Sequence, residues 1–212
     1  MRVIVYVEGA SDEDAMQECL KPLLEQKDGE GIAITFKESP PGDKKKTLLT
    51  KVPRLAVTIL RNNAEAMVVV IPDLYPPHRA FRHETAEELQ AGIVENFRLA
   101  LQDKGIDDQR IMDRFKVFCF KYDLEALVLA AEEALILRLG VKRLKCTWRL
   151  PVEDQNHDHP PSRVIDDLFR EHHQSYKKRA DAPLILGMSQ YLTIAERCPQ
   201  CFKPFVEFLA AL

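Results

Sequence analysis

The stretch Val3-Ile4-Val5-Tyr6-Val7-Glu8-Gly9-Ala10-Ser11-Asp12 decides the fold class. Its first five residues are apolar and mostly β-branched, the composition of a buried strand. A carboxylate and a glycine stand where that strand must end. Ser11 can cap the segment that follows, and Asp14 stands three residues later, where a capping box prefers Glu or Gln. From Asp12 to Glu25, residues Ala15, Met16, Cys19, Leu20, Leu23 and Leu24 recur at helical spacing. Glu8 therefore falls at the carboxyl end of a strand, just before a helix, which is the edge where open α/β sheets bind ligands. A lone Glu-Gly pair reads as a solvated turn. Here two further apolar strands also end in carboxylates.

Gly29 and Gly31 punctuate a turn, and Ile32 to Phe36 reads as a second strand. Glu38 to Lys46 is a loop rich in Pro, Gly and charge. Thr47 to Asn62 is a mostly amphipathic helix interrupted early by Pro53. Met67 to Ile71 is a buried strand, and Pro72, Pro76 and Pro77 forbid a helix after it, so Asp73 begins a loop. Glu84 to Lys104 reads as a helix ended by Gly105, Phe115 to Phe120 as a strand, and Asp123 to Arg138 as a helix closed by Gly140. Such alternation predicts an α/β fold, a parallel sheet of about four strands with helices on both faces. From Leu150 the character changes. Pro151, Pro160 and Pro161 bracket a polar segment holding Asn156, His157, Asp158 and His159. Helical patterns follow over 162–173, 183–196 and 199–212. The expected division is an α/β domain, 1–149, and a helical C-terminal extension packed on it, 150–212.

With 212 residues and a formal charge of −3, the surface as a whole is no trap for polyanions. Nucleic acid would have to bind through local basic patches or through metal ions held by carboxylates. The patches are Lys44-Lys45-Lys46, Lys142-Arg143 with Lys145 and Arg149, and Lys177-Lys178-Arg179, each of which reads first as solvated surface. No leader and no apolar run long enough to cross a bilayer is legible, so a cytoplasmic protein away from membranes is expected. The five cysteines (Cys19, Cys119, Cys146, Cys198, Cys201) follow no disulfide spacing. Cys198 and Cys201 lack the second pair a structural zinc needs and read as packing. His157 to His159 and His172-His173 read as a polar loop and a helix start. There is no glycine-rich phosphate cradle, so any ATP would arrive with a partner.

Three predicted strands thus end in acids: Glu8, Asp73, and the pair Asp123 and Glu125. In a parallel sheet those ends share one edge. Converging carboxylates resist ionising beside one another, and a hard divalent cation removes the conflict. Mg²⁺ takes oxygen ligands and shares phosphate oxygens with a substrate. The residue types suit phosphodiester chemistry. Asp123 and Glu125 do not share a helix face, so Asp123 must precede the first turn if both act.

Glu8-Gly9-Ala10-Ser11-Asp12 with Ile71-Pro72-Asp73 resembles the Toprim domain of topoisomerases, primases and overcoming-lysogenization-defect nucleases. Nearly the whole chain resembles a bacterial family of unknown function predicted to be Toprim-like, whose members are often encoded beside ATPases. That family's later elements are matched in order by Asp73-Leu74-Tyr75, Tyr122-Asp123-Leu124-Glu125-Ala126-Leu127, Pro161-Ser162-Arg163, Tyr176-Lys177 and Cys198-Pro199. Toprim enzymes carry an aspartate-x-aspartate pair, and here its second position is Tyr75. The family's histidine is replaced by Tyr122.

The resemblance implies a Toprim-like fold. It makes Glu8 a general base or metal ligand and Asp12 a second carboxylate of the catalytic set. Asp73, Asp123 and Glu125 would join Glu8 in binding Mg²⁺ or Mn²⁺. Arg163, Lys177 and Lys178 are candidates for substrate phosphate. It further implies a metal-dependent nuclease acting with an ATPase partner, in defence against phage or plasmids. The rival readings are a catalytically degenerate module that binds or regulates the ATPase, which Tyr75 favours, and a nucleotide-binding regulator. Like charges crowded without metal would leave Glu8→Gln as stable as the parent protein, or slightly more so.

Overall fold

β1 (Arg2–Val7) and β3 (Ala66–Ile71) form the inner pair of a four-stranded sheet, flanked by β2 (Ala33–Glu38) and β4 (Phe115–Val117). The order is β2-β1-β3-β4 and every pairing is parallel. Val7 faces Glu38 on one side and Ile71 on the other. Val3, Val5, Val7, Val68, Val69 and Val70 have no exposed surface, as strands paired on both sides and covered on both faces require. The expected parallel sheet of about four strands is therefore present. Its order reverses between β1 and β3: the chain steps from β1 outward to β2, then back across β1 to β3 and on to β4. In open α/β sheets a ligand crevice opens at that reversal, at the carboxyl ends of the strands.

This computed structural model describes all residues except 80, 145–147 and 155–158. Lys145, Cys146, Asn156, His157 and Asp158, singled out above, lie outside the described residues. Two compact units result, Met1–Ala10 with Leu24–Cys119, and Ser11–Leu23 with Phe120–Leu212. The chain passes between them within α1 (Ala10–Gly29) and again after Cys119. The sequence boundary stood at 149/150. Among the described residues no helix is long and apolar enough to cross a membrane.

The first unit holds the sheet. α2 (Lys44–Lys46) is capped by Asp43, whose Oδ1 accepts the Lys46 N–H at 3.0 Å. A wide π-type turn, Thr47–Lys51, leads into α3 (Val52–Asn62). Pro53 has no N–H to offer the Leu49 carbonyl four residues back. The Asn96 side chain of α4 (Ala86–Gln102) donates to that carbonyl instead, at 3.0 Å. Thr85 caps α4 and Glu88 returns a bond to the Glu84 N–H, the expected helix start two residues late. Phe97 stacks on Phe115 with centroids 4.0 Å apart, fixing α4 to β4. A short α5 (Gln109–Asp113), absent from the sequence reading, precedes β4. β4 stops at Val117, three residues short of the strand expected to Phe120.

The second unit is helical. The helix expected from Asp123 to Arg138 breaks at Ala131 into α6 (Glu125–Ala130) and α7 (Glu132–Leu139). Arg197 supports the break by donating to the Ala130 carbonyl at 2.7 Å. Gly140 ends α7 with φ 72°, the left-handed conformation glycine adopts without strain. α8 (Pro161–Glu171), α9 (Lys178–Gly187), α10 (Tyr191–Arg197) and α11 (Phe202–Ala210) follow. The single helix expected over 183–196 is thus two, and Pro183 lies inside α9 rather than opening it. α9 starts earlier because the Asp181 carboxylate accepts the Lys177 N–H at 2.6 Å, answering a donor the helix start leaves open.

α11 depends on an acid that no sequence motif marks. Glu153 is buried and accepts the N–H groups of Gln200, Cys201 and Phe202, the last two at 2.8 and 3.1 Å. A carboxylate at a helix N-terminus answers donors that the helix itself cannot. Burial nevertheless holds the Glu153 carboxyl above its ordinary range. Glu153→Ala should therefore cost about 3 kcal/mol, since buried donors are orphaned; urea unfolding measures it. Cys198 and Cys201 are buried, and burial raises the Cys198 thiol well above its ordinary value.

Candidate functional site

In the first unit, Glu8 directly follows β1 and Asp73 stands two residues after β3. These are the strands that flank the order reversal. The Asp73 backbone N–H donates to Glu8 Oε1 at 3.0 Å, tying the two strand ends together. Ser39 Oγ donates to the Glu8 carbonyl at 2.9 Å. Lys45 stands opposite, buried, with Nζ 3.8 Å from Glu8 Oε1 and 2.6 Å from the Pro76 carbonyl. Lys45 belongs to a run whose composition predicts solvated surface. No feature of the run itself marks Lys45 as the buried one.

In the second unit, Asp12, Asp123 and Glu125 are buried acids. β4 ends too early for Asp123 to be a strand-end residue. It lies instead just before the first turn of α6, with Oδ2 accepting the Ser162 N–H at the start of α8 at 3.2 Å. Its Oδ1 is buried and has no hydrogen-bond partner among the described residues. Glu125 opens α6. Its Oε1 accepts the Tyr176 hydroxyl at 3.3 Å, and its Oε2 lies 3.3 Å from Lys178 Nζ. The same ammonium lies 2.9 Å from Asp12 Oδ1. Lys178 is thus committed to acids, whereas Lys177 and Arg163 carry exposed side chains.

The local field follows from this packing. Burial, then repulsion from Asp123 and Asp12, pushes the Glu125 carboxyl up to about 7 against the pull of Lys178. Burial also raises Asp123, with the Ser162 bonds opposing it. Burial and the adjoining Glu125 push the Tyr176 phenol up, so Tyr176 remains a donor.

A pH dependence follows for the metal-free protein. Folded Glu125 holds its proton more tightly than its ordinary 4.5, so between 4.5 and about 7 the native state binds more protons than the unfolded state. Stability then falls as pH rises through that window, by at most about 1.4 kcal/mol per pH unit for one group. Glu125→Gln should flatten the fall; melting in EDTA from pH 4.5 to 7.5 measures it.

Among the described residues no three His, Cys, Asp or Glu side chains are already arranged to hold a metal ion. The donor chemistry still suits a hard cation. Both units present carboxylate oxygens, the donors such a cation takes, and Asp123 keeps a buried oxygen with no hydrogen-bond partner among the described residues.

A parallel α/β sheet with two acids at its order reversal, joined to a helical unit with three more, defines a small α/β protein with carboxylate-rich sites. The chain belongs to the family described as "Domain of unknown function (DUF4276)", whose model matches residues 7–210. No curated protein matches the sequence. Among solved structures, the chain is similar to the C-terminal region of the Burkholderia pseudomallei OLD protein, at 15% identity and a TM-score of 0.49, over 98% of this chain and 96% of that one. It is also similar to the C-terminal region of the Xanthomonas campestris pv. campestris OLD protein, at 12% identity and a TM-score of 0.43, over 99% and 96%.

Proposed function

We propose that this chain is a Toprim-type phosphodiesterase that cleaves nucleic acid with Mg²⁺ or Mn²⁺ and works with an ATPase partner, as the effector of an ATPase-linked defence system. The observation that carries the reading is the tie between Glu8 and Asp73. Two acids sit at the carboxyl ends of the two strands where the sheet order reverses, the place such sheets offer to a ligand. Glu8 and Asp73 would supply oxygens to a cation in the first unit, and Asp123 and Glu125 to a cation in the second. When bound, the cation polarises a phosphoryl oxygen and acidifies a water. Glu8 has a carboxylate oriented by the Asp73 N–H, as a general base requires. Asp12 completes the acid set beside Lys178. The exposed Arg163 and Lys177 can take the phosphate backbone of a substrate, which positions it without reading its sequence.

A second reading has its own observation. Each unit already neutralises acids with a lysine, Lys45 in the first and Lys178 in the second, and Tyr75 stands where Toprim enzymes have an acid. That pattern fits a module which keeps the fold and recruits the ATPase without cutting. Incubating the purified chain with single- and double-stranded DNA and RNA, with and without Mg²⁺ or Mn²⁺ and with and without the ATPase, separates the two. Metal-dependent cleavage lost in Glu8→Gln supports the enzyme. A wild-type chain that binds metal and the ATPase but cuts nothing supports the module.

A further inference from the structure

The acids of the second unit carry their own counter-ion. Lys178 opens α9 and sets its ammonium 2.9 Å from Asp12 Oδ1 and 3.3 Å from Glu125 Oε2. The two carboxylate side chains are only 7% and 4% exposed, whereas the Lys178 side chain keeps 32% of its surface in solvent. The turn that presents it is fixed independently of the acids. Asp181 holds the Lys177 N–H at 2.6 Å and Arg138 Nε at 2.8 Å, and Arg138 Nη1 donates to Gln174 at 2.8 Å.

Two buried carboxylates cannot sit together ionised without a cation. The ammonium supplies one positive charge against Asp12 and Glu125. Asp123, the third acid, adds a buried oxygen with no hydrogen-bond partner among the described residues. One ammonium does not balance the three acids when all are ionised. An ammonium on a flexible, part-exposed stem can move to solvent at small cost. A dication arriving at the same oxygens would meet it at close range, where like charges repel.

We propose that Lys178 is a resident counter-ion that holds Asp12 and Glu125 in place while no metal is bound, and that a divalent cation loads the second unit by displacing it. The proposal rests on the metal reading above and names how that site is regulated: loading is an exchange of cations. Lys178 thereby limits metal affinity and spares the metal-free fold from charge crowding.

The test uses Mn²⁺ and Mg²⁺ alone as probes, with thermal melting and calorimetric titration of wild type, Lys178→Arg and Lys178→Met. In EDTA, Lys178→Met should melt below wild type while Lys178→Arg stays near it. With metal, Lys178→Met should gain the larger rise in Tm and bind about tenfold tighter or more, because a ligand that binds only the native state stabilises it. Equal or weaker metal binding by Lys178→Met, with wild type responding, overturns the counter-ion role and leaves the metal reading standing. No metal response in any of the three proteins overturns the metal reading and the counter-ion role with it. If Lys178→Met does not fold in EDTA, its recovery on refolding with millimolar Mg²⁺ supports the exchange. Failure to recover then turns the test to Asp12→Asn/Lys178→Met, which loses one carboxylate along with the ammonium. Metal binding by that pair no tighter than wild type overturns the proposal.

Discussion

Asp181→Ala should lower the stability of the chain by about 3 kcal/mol, the low end for removing one partner of a buried ion pair. Asp181 is buried, and its Oδ1 receives Arg138 Nε and Nη2 at 2.8 and 2.7 Å. Its Oδ2 receives the Lys177 N–H at 2.6 Å. Alanine removes all three acceptor contacts, leaving a part-buried guanidinium without its carboxylate and the first turn of α9 without its cap. The damage reaches the acids as well, because that turn carries Tyr176 and Lys178 onto Glu125. Asp167→Ala is the control. Asp167 makes a short pair with Arg170 at 2.6 Å, but the Arg170 side chain is 75% exposed and Asp167 37%, so solvent screens the pair. Pairs of that kind are worth less than about 1 kcal/mol. Urea unfolding of the two variants should separate them clearly, and similar losses would contradict the placement of Asp181.

Glu8→Gln should abolish metal-dependent cleavage, a loss on the order of 10²- to 10⁴-fold for a general base. Its effect on the metal-free fold differs from what the acids alone imply. Crowded carboxylates would make the amide harmless or mildly stabilising. Lys45 changes that balance, since its buried ammonium stands 3.8 Å from Glu8 Oε1 and would lose its countercharge. The amide oxygen can still accept the Asp73 N–H. A loss of about 1 kcal/mol is therefore expected, near the value of one ordinary polar interaction. Asp73→Asn should spare the fold more fully, because the contact with Glu8 is made by the backbone N–H and not by the side chain. Melting of both variants in EDTA, beside cleavage assays in Mg²⁺ and Mn²⁺, reads the two effects separately.

The sheet was legible because its strands are buried on both faces. Val3 to Val7 and Met67 to Ile71 have no polar alternation to mislead, and the proline cluster after Ile71 left Asp73 only a loop to occupy. Helix ends were less legible where the decisive contact is distant in sequence. Ala131 is an ordinary helix former, and the support for the break beside it comes from Arg197. Pro183 looked like a helix start, but Asp181 and the Lys177 N–H begin the helix one turn earlier. At the candidate sites the acids stood out and their partners did not. A run of three lysines reads as solvent-facing, and nothing in Lys44-Lys45-Lys46 marks the middle residue as buried against Glu8. Lys178 and Tyr176 lie more than fifty residues from Glu125, so only the fold could bring them to it. Glu153 sits in a short polar stretch with no helical period of its own, and its role as the acceptor for α11 follows from tertiary packing alone.

Calorimetric titration of Mn²⁺ into wild type and into Asp73→Asn, at matched ionic strength and pH, bears most directly on the divalent-metal site. Asp73 follows β3 at the order reversal, and its side chain makes no contribution to the backbone bond that ties it to Glu8. Wild type should bind Mn²⁺ with a measurable heat and Asp73→Asn about tenfold more weakly or not at all, while both melt alike in EDTA. Identical isotherms for the two proteins, or no heat from either, would contradict a metal role for these acids.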